Sequence, residues 1–235
     1  MHSEVIGAAT LYLGDAREIL PKLAFDVTVT DPPWDQAKGI HGEENPRGLF
    51  AAVSPDLSRS HCVVVQLGSY TDPCFCAPVA ALMPFLHACW LRYVPASYNG
   101  RVLVESDVAY VYGRAPKSQP GRRVLPATCV STNREREESE FIKHHGCHRT
   151  NAQVAATIAA QRHPMPRHLK HVRWLIEWHS DIDDIVCDPF MGSGTAGVAA
   201  ANLGRRFVGV EINPDYFALA CERIDNAQRQ LLIAN

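Results

Sequence analysis

The 235-residue chain contains no apolar run approaching the about 20 residues that a membrane span needs. Its first residues, Met1-His2-Ser3-Glu4, lack the basic start of a secretory signal. A cytoplasmic protein without a membrane partner is therefore the expectation. Disulfide patterning is missing too: the eight cysteines are scattered through apolar stretches, as at Cys62, Cys187 and Cys221, which suits reduced core thiols. Cys74-x-Cys76 and His144-His145-x-Cys147-His148 offer metal-ligand residue types. Neither has the paired knuckle of a structural zinc site, so no metal is expected. Internal repeats and long low-complexity tracts are also lacking. With 46% hydrophobic residues, the chain is long enough for one α/β core carrying an inserted segment and short for two independent domains.

A strong net charge is another absence, at -2, but the total hides an asymmetry. Between Gly113 and Arg173 there are 12 Lys and Arg against 4 Glu, and six of the eleven histidines fall there: His144, His145, His148, His163, His168 and His171. A basic segment on an acidic body suits a polyanionic partner, most simply nucleic acid, while a solvated loop with incidental charge is the bland alternative.

Apolar patterning gives alternating strands and helices. Ala9 to Leu13 reads as a strand ending at Gly14-Asp15, and a helical turn through Ile19-Leu20 leads to a second strand, Phe25 to Thr30. Residues 35 to 60 read as loop with some helix, Cys62 to Leu67 as a strand, and Ala77 to His87 as a helix. Trp90 to Val94 and Ser106 to Tyr112 follow as strands. From Arg114 to about Ala160 the pattern degrades into Pro, Gly, Arg and Ser, with a helix expected over Ala152 to Ala160. Helical spacing resumes from Pro166 to Trp178, then a strand through Ile185 to Cys187, a helix to Ala201, the strand Phe207 to Glu211 and a terminal helix from Pro214. The division this suggests is residues 1–113, residues 114–161 as a basic insertion, and residues 162–235.

Two of these strands end in chemically loaded motifs. Asp31-Pro32-Pro33-Trp34 follows the second strand, and Asp188-Pro189-Phe190-Met191-Gly192-Ser193-Gly194-Thr195 follows the strand at Ile185. In open α/β sheets, ligands gather at the carboxyl ends of strands, so two such ends suggest one site with two halves. Gly192 to Gly197 matches G-x-G-x-x-G between a strand and a helix, with Glu211 at the end of the next strand to accept from ribose hydroxyls. That turn alone does not choose between NAD and S-adenosylmethionine, and a tight packing turn is the plainer reading. Asp188 favours the cationic amino group and sulfonium of S-adenosylmethionine over a pyrophosphate.

The tandem prolines stiffen the first motif and remove two backbone donors. A rigid Asp31 carboxylate and the Pro32 carbonyl could accept the hydrogens of an exocyclic amino group on a base and turn its lone pair toward a methyl donor, while Trp34 stacks on the ring. Such a base would first leave its duplex stack. The competing reading is a Pro-Pro turn with an aromatic core anchor.

These residues resemble the permuted, β-group DNA amino-methyltransferases specific for N6-adenine or N4-cytosine, in which the catalytic motif precedes the cofactor motif. Asp31 to Trp34 is similar to the family's Asp-Pro-Pro-Tyr. The cofactor block is matched without gaps from Asp188 through Gly204-Arg205, Glu211 and Tyr216 to Ala220 and Arg223. His163-Pro164 resembles the start of the family's His-Pro-x-x-Lys-Pro segment, with Arg167 where Lys is usual and His168 where Pro is usual. Gly14-Asp15 resembles the Gly-Asp turn beside the cofactor adenine.

The resemblance implies a Rossmann-like S-adenosylmethionine-dependent methyltransferase fold: a mixed, mostly parallel seven-stranded sheet with a small inserted recognition region. It implies Asp31, Pro32, Pro33 and Trp34 as catalytic, and Asp15, Asp188, Phe190, Gly192, Gly194, Thr195, Glu211, His163 and Pro164 as cofactor-binding. Residues 1–113 would be the catalytic half, 162–235 the cofactor half, and 114–161 the target-recognition insertion, where Arg122, Arg123 and Arg149 are candidate nucleic-acid contacts. Double-stranded DNA is the implied partner, with a homodimer and a cognate restriction nuclease as further candidates.

Within the family, Asp at the first tetrapeptide position is usual for adenine and Ser is common for cytosine N4, so adenine N6 is the first expectation and cytosine N4 the alternative. Trp34 also resembles RNA adenine methyltransferases, which do not share this block order. Pro73-Cys74 follows the wrong strand for a C5-cytosine nucleophile. A non-catalytic binder of the same fold and a NAD oxidoreductase remain as readings from other classes; the intact motifs weigh against the first, and Asp31 to Trp34 against the second.

Overall fold

The structure is a computed structural model that describes residues 2–33, 45–68, 71–99, 102–114, 127–132 and 167–234. A single nine-stranded sheet runs through it in the order β1-β2-β9-β8-β3-β4-β6-β5-β7. The strands are β1 (His2–Ile6), β2 (Ala9–Leu13), β3 (Val27–Thr30), β4 (Cys62–Gly68), β5 (Phe85–Asn99), β6 (Val102–Gly113), β7 (Thr128–Thr132), β8 (Ile185–Asp188) and β9 (Arg206–Glu211). Helices are α1 (Ala16–Ile19), α2 (Pro46–Leu57), α3 (Ala77–Ala80), α4 (Leu169–His179), α5 (Thr195–Asn202) and α6 (Pro214–Ala234).

Neighbours from β2 to β4 pair in parallel, through β9, β8 and β3. β6 runs antiparallel to both β4 and β5. The central strands read as continuous apolar runs because both of their faces are covered. In β4, Cys62 and Val64 join one core layer while Val63, Val65 and Leu67 join the other, as the period of two requires. The first layer is closed by α4, which buries Leu169, Val172, Leu175 and Ile176, and by α5 and α6. α2 packs in the second layer through Phe50, Val53 and Leu57, with Asn45 capping its first turn by accepting from Gly48 N at 2.9 Å.

Two differences from the sequence reading have physical reasons. Among the described residues the sheet has nine strands rather than seven. β1 is an exposed edge strand whose polar residues carry no alternation, and β7 lies within residues 114–161, pairing in parallel with the part of β5 from Trp90 to Val94. The helix expected over Ala77 to His87 stops after Ala80, and β5 begins at Phe85. Pro84 supplies the break: it has no N–H to continue a helix and it biases Met83 away from helical backbone. The helix expected over Ala152 to Ala160 lies outside the described residues. None of the described helices is long and apolar enough to cross a membrane.

Candidate active site

β3 leads through α2 to β4 on one side, while β8 leads through α5 to β9 on the other, and α2 and α5 lie in opposite core layers. The gap between the ends of β3 and β8 is therefore the topological switch point, where an open α/β sheet forms its ligand crevice. Asp31 follows β3 and Asp188 ends β8, so the two motifs meet as the sequence reading expected. Thr30 Oγ1 donates to Asp188 Oδ1 at 2.8 Å, tying the two strand ends together.

Asp188 is buried and also accepts from Phe190 N at 3.1 Å. Burial pushes its carboxyl up to about 7, against the lowering effect of these hydrogen bonds and with help from the nearby Asp31 and Glu211 charges. Glu211, at the end of β9, accepts from Gly192 N at 2.9 Å and Asn213 N at 2.8 Å, and burial raises its carboxyl too. Two buried carboxylates on adjacent strand ends make a site that favours a cationic ligand.

The glycine turn between them has two functions. Gly192 at φ 52° and Gly194 at φ 80° take left-handed conformations that let the chain reverse from β8 into α5. A Cβ on Gly194 would stand 2.9 Å from Ala220 Cβ, and one on Gly197 would stand 2.3 Å from Ile224 Cδ1. These two glycines thus let α5 approach α6, so the packing reading of the turn holds for them. Thr195 is buried, with its hydroxyl 3.4 Å from Arg223 Nη1, and Phe190 packs against the second core layer.

Gly14 N donates to Glu211 O at 2.9 Å, which brings the Gly14-Asp15 turn beside Glu211. Asp15 caps α1 by accepting from Arg17 N at 2.8 Å and pairs with the Arg17 guanidinium, which holds its carboxyl below the usual range.

Asp31 shows the feature that sequence reasoning did not single out. Arg167 donates from Nε to Asp31 Oδ2 at 2.5 Å and from Nη2 to Asp31 Oδ1 at 2.7 Å, a bidentate fork. Its Nη1 donates to Asp107 Oδ2 at 2.5 Å. Asp107, on β6, also accepts from the Tyr93 hydroxyl on β5 and from Gln66 Nε2 on β4 at 3.3 Å. Burial raises Asp31 above the usual carboxylate range and Arg167 pulls it back down, leaving a net upward direction. The one sequence signal for this contact was Arg167 itself, standing where the resembled family carries Lys. Pro32 is buried and Pro33 half-buried. Trp34, His163, Pro164, Arg122, Arg123 and Arg149 lie outside the described residues, as do His144 to His148.

The profile of a family described as DNA methylase matches residues 95–222, more than half of the chain. The chain belongs to this DNA methylase family. A type II methyltransferase of Streptomyces caespitosus, M.ScaI, is 30% identical over 257 residues, covering 94% of this chain and 83% of that protein. Three further curated relatives match over shorter stretches, which cover 23%, 20% and 16% of their own lengths. Among solved structures, the M1.HpyAVI–SAM complex superposes with a TM-score of 0.65 at 21% identity, covering 92% of this chain and 99% of that one. PvuII DNA methyltransferase, titled cytosine-N4-specific, gives 0.61 at 14% identity, covering 100% and 98%. At these identities the structural likeness establishes the fold, a Rossmann-like methyltransferase sheet.

In this DNA methylase family member Cys74 and Cys76, weighed from sequence as metal-ligand types, join no converging group among the described residues. Among the described residues the converging trio is His87, Cys89 and His179. His179 Nδ1 lies 2.8 Å from Leu175 O, His87 Nε2 3.1 Å from His179 Nε2, and Cys89 Sγ 3.7 Å from His87 Nδ1. Burial pushes His179 down to about 4 and Cys89 up to about 12, so these are neutral groups. One choice of tautomers then gives each proton an acceptor, from the thiol to His87 to His179 to the carbonyl. The trio is complete as a hydrogen-bond chain within the core.

Proposed function

We propose that this protein transfers a methyl group from S-adenosylmethionine to the exocyclic N6 of adenine in duplex DNA. The observation that carries the reading is the junction of Asp31 and Asp188 at the β3–β8 switch point, held by the Thr30 hydrogen bond. Asp188 and Glu211 fit the positive methionine end and the ribose hydroxyls of the donor, and Gly14-Asp15 lies beside Glu211 for the adenosine. Gly192, Phe190 and Thr195 shape the same pocket through the turn, with Gly194 setting its position against α6. The donor, when bound, supplies an electrophilic methyl group.

The remaining chemistry belongs to the chain. The Asp31 carboxylate and the Pro32 carbonyl accept hydrogens of the target amino group, which turns its lone pair toward the methyl carbon. A nitrogen–carbon bond forms as the sulfur–carbon bond breaks, and the surplus amino proton leaves through the Asp31 side. Trp34 stacks on the extruded base, and Arg122, Arg123 and Arg149 in the basic insertion contact phosphates or bases. His163-Pro164 completes the methionine end. Residues 1–113 and 162–235 act as the two halves of this site, with duplex DNA across the insertion.

Cytosine N4 is the second reading, favoured by the likeness to the PvuII enzyme over the whole chain. Incubation with labelled S-adenosylmethionine and mixed-sequence duplex DNA or RNA, followed by nucleoside mass spectrometry, separates the cases. N6-methyladenine in DNA is expected. N4-methylcytosine would keep fold and donor and change the base; methylation confined to RNA would reassign the insertion. Donor binding without any methylation would support the non-catalytic reading.

A further inference from the structure

Asp31 is the residue on which the proposed transfer depends, and nothing in its own turn explains how its carboxylate is held. The Pro-Pro segment stiffens the backbone but leaves χ1 and χ2 of the aspartate free to rotate. The restraint comes from 136 residues away, where the Arg167 fork contacts both Asp31 oxygens. Arg167 is in turn held by Asp107, whose carboxylate is fixed by Tyr93 and Gln66. Side-chain exposures of 11% for Arg167 and 7% for Asp107 place this support in the interior, while Asp31 at 26% still reaches the crevice.

We propose that Arg167 is a positioning residue for methyl transfer: its guanidinium fixes the plane of the Asp31 carboxylate against the rigid Asp107–Tyr93–Gln66 support, so that the remaining lone pairs meet the target amino group. A carboxylate has about four acceptor positions and the fork uses two, so both oxygens keep capacity for an incoming N–H. Planar, two-point contact is what a guanidinium provides and an ammonium does not. Removing one N–H from the fork leaves the charge but frees the carboxylate to swing, and small misplacements of a reacting group cost about 100-fold in rate.

The groups facing Asp31 also set the direction of its titration. Arg167 opposes its protonation; Asp107, Tyr93 and Asp188 act on the same cluster from β6, β5 and β8. Weakening the Arg167 contact therefore moves Asp31 further up.

This inference rests on the methyl-transfer reading, and the test separates the two. Arg167→Lys keeps the charge; Arg167→Met removes it and leaves two carboxylates without their cation, so it can fail to fold. Both are compared with the unaltered chain for S-adenosylmethionine affinity by calorimetry, for kcat and KM on DNA across pH, and for the Asp31 carboxyl titration by carbon NMR. Arg167→Lys is expected to keep donor affinity within about twofold, lower kcat 10- to 100-fold with little change in KM for DNA, and shift the acid limb of kcat and the Asp31 titration upward together. Unchanged kcat and an unmoved titration in a folded Arg167→Lys protein would overturn the positioning role. Absence of methylation by the unaltered chain would overturn the functional reading, and the positioning role in that reaction with it. The carboxyl titration would still report whether Arg167 governs Asp31.

Discussion

The Thr30 hydroxyl reaches Asp188 across 2.8 Å although the two residues stand 158 positions apart. The bond links the last residue of β3 to the last of β8 and makes a single crevice from both ends of the chain. The proposed function gives its two walls separable duties, and from this comes the first expectation. Asp31→Ala should abolish methyl transfer while donor affinity, set by Asp188 and Glu211, stays within about threefold. Radiolabel transfer and calorimetry on the same preparation check this; parallel loss of both would merge the two walls into one function.

Donor affinity should depend on pH through Asp188. Its carboxyl sits at about 7 because of burial, so near neutrality the group is only partly ionised, and a cationic ligand selects the ionised form. Affinity is expected to rise up to about tenfold per pH unit below 7 and level off above it, with proton release on binding. Calorimetry in two buffers of different ionisation enthalpy measures that release. Asp188→Asn should remove both the slope and the proton.

Gly197→Ala tests the packing function of the glycine turn. The new Cβ would meet Ile224 Cδ1 at 2.3 Å, the end of a flexible side chain, and Phe207 Cε1 at 2.9 Å. A loss of about 1–3 kcal/mol is expected from overpacking. Adding Ile224→Val should recover part of it by removing the Cδ1 methyl, as thermal or urea melts would show. No recovery would place the strain at Ile224 Cγ1 and Phe207 Cε1, each 2.9 Å from the new Cβ.

Acid should weaken the fold through two buried histidines. Burial pushes His171 and His179 down to about 4, below the ordinary value of 6.5. The unfolded chain therefore binds more protons between these values, and stability falls as pH drops from about 6.5 to about 4, then flattens. Asp188 works in the opposite sense over about 4 to 7, because its raised value makes the folded state the better proton binder there. Urea melts across pH 4–7 should steepen in Asp188→Asn, where the histidine contribution is opposed only by the raised carboxyls of Asp31 and Glu211, and shallow in His179→Asn.

Duplex DNA binding should fall steeply with salt if the basic insertion contacts phosphates, at about one power of salt concentration per phosphate contact. Arg122→Ala, Arg123→Ala and Arg149→Ala should each reduce the slope. A flat response would remove the insertion from the interface.

The sheet core and both motif-bearing strand ends were legible in the sequence because buried parallel strands write themselves as apolar runs that stop at Asp31, Asp188 and Glu211. The turn residues were legible in type but not in duty: Gly194 and Gly197 match a ligand-binding pattern, yet their spacing also serves the contact of α5 with α6. β1 and β7 escaped because edge strands need only one apolar face or none, and His2 to Ile6 shows no period of two. Arg167 and Asp107 escaped for another reason. Their pairing joins α4's approach to the middle of β6, and no local pattern announces a partner chosen by tertiary packing.

The strand order carries a consequence for how the chain must be made. β8 and β9, near the carboxyl end, sit between β2 and β3, near the amino end. On a ribosome, β2 and β3 emerge early but have no shared neighbour until the last quarter of the chain appears. Until then β3 keeps an open edge, with Val27 and Val29 awaiting the helices of the first core layer. The crevice thus closes only after β8 and β9 have been made, with α6 still to follow. Assembly of the site therefore waits on the pairing of β3 with β8.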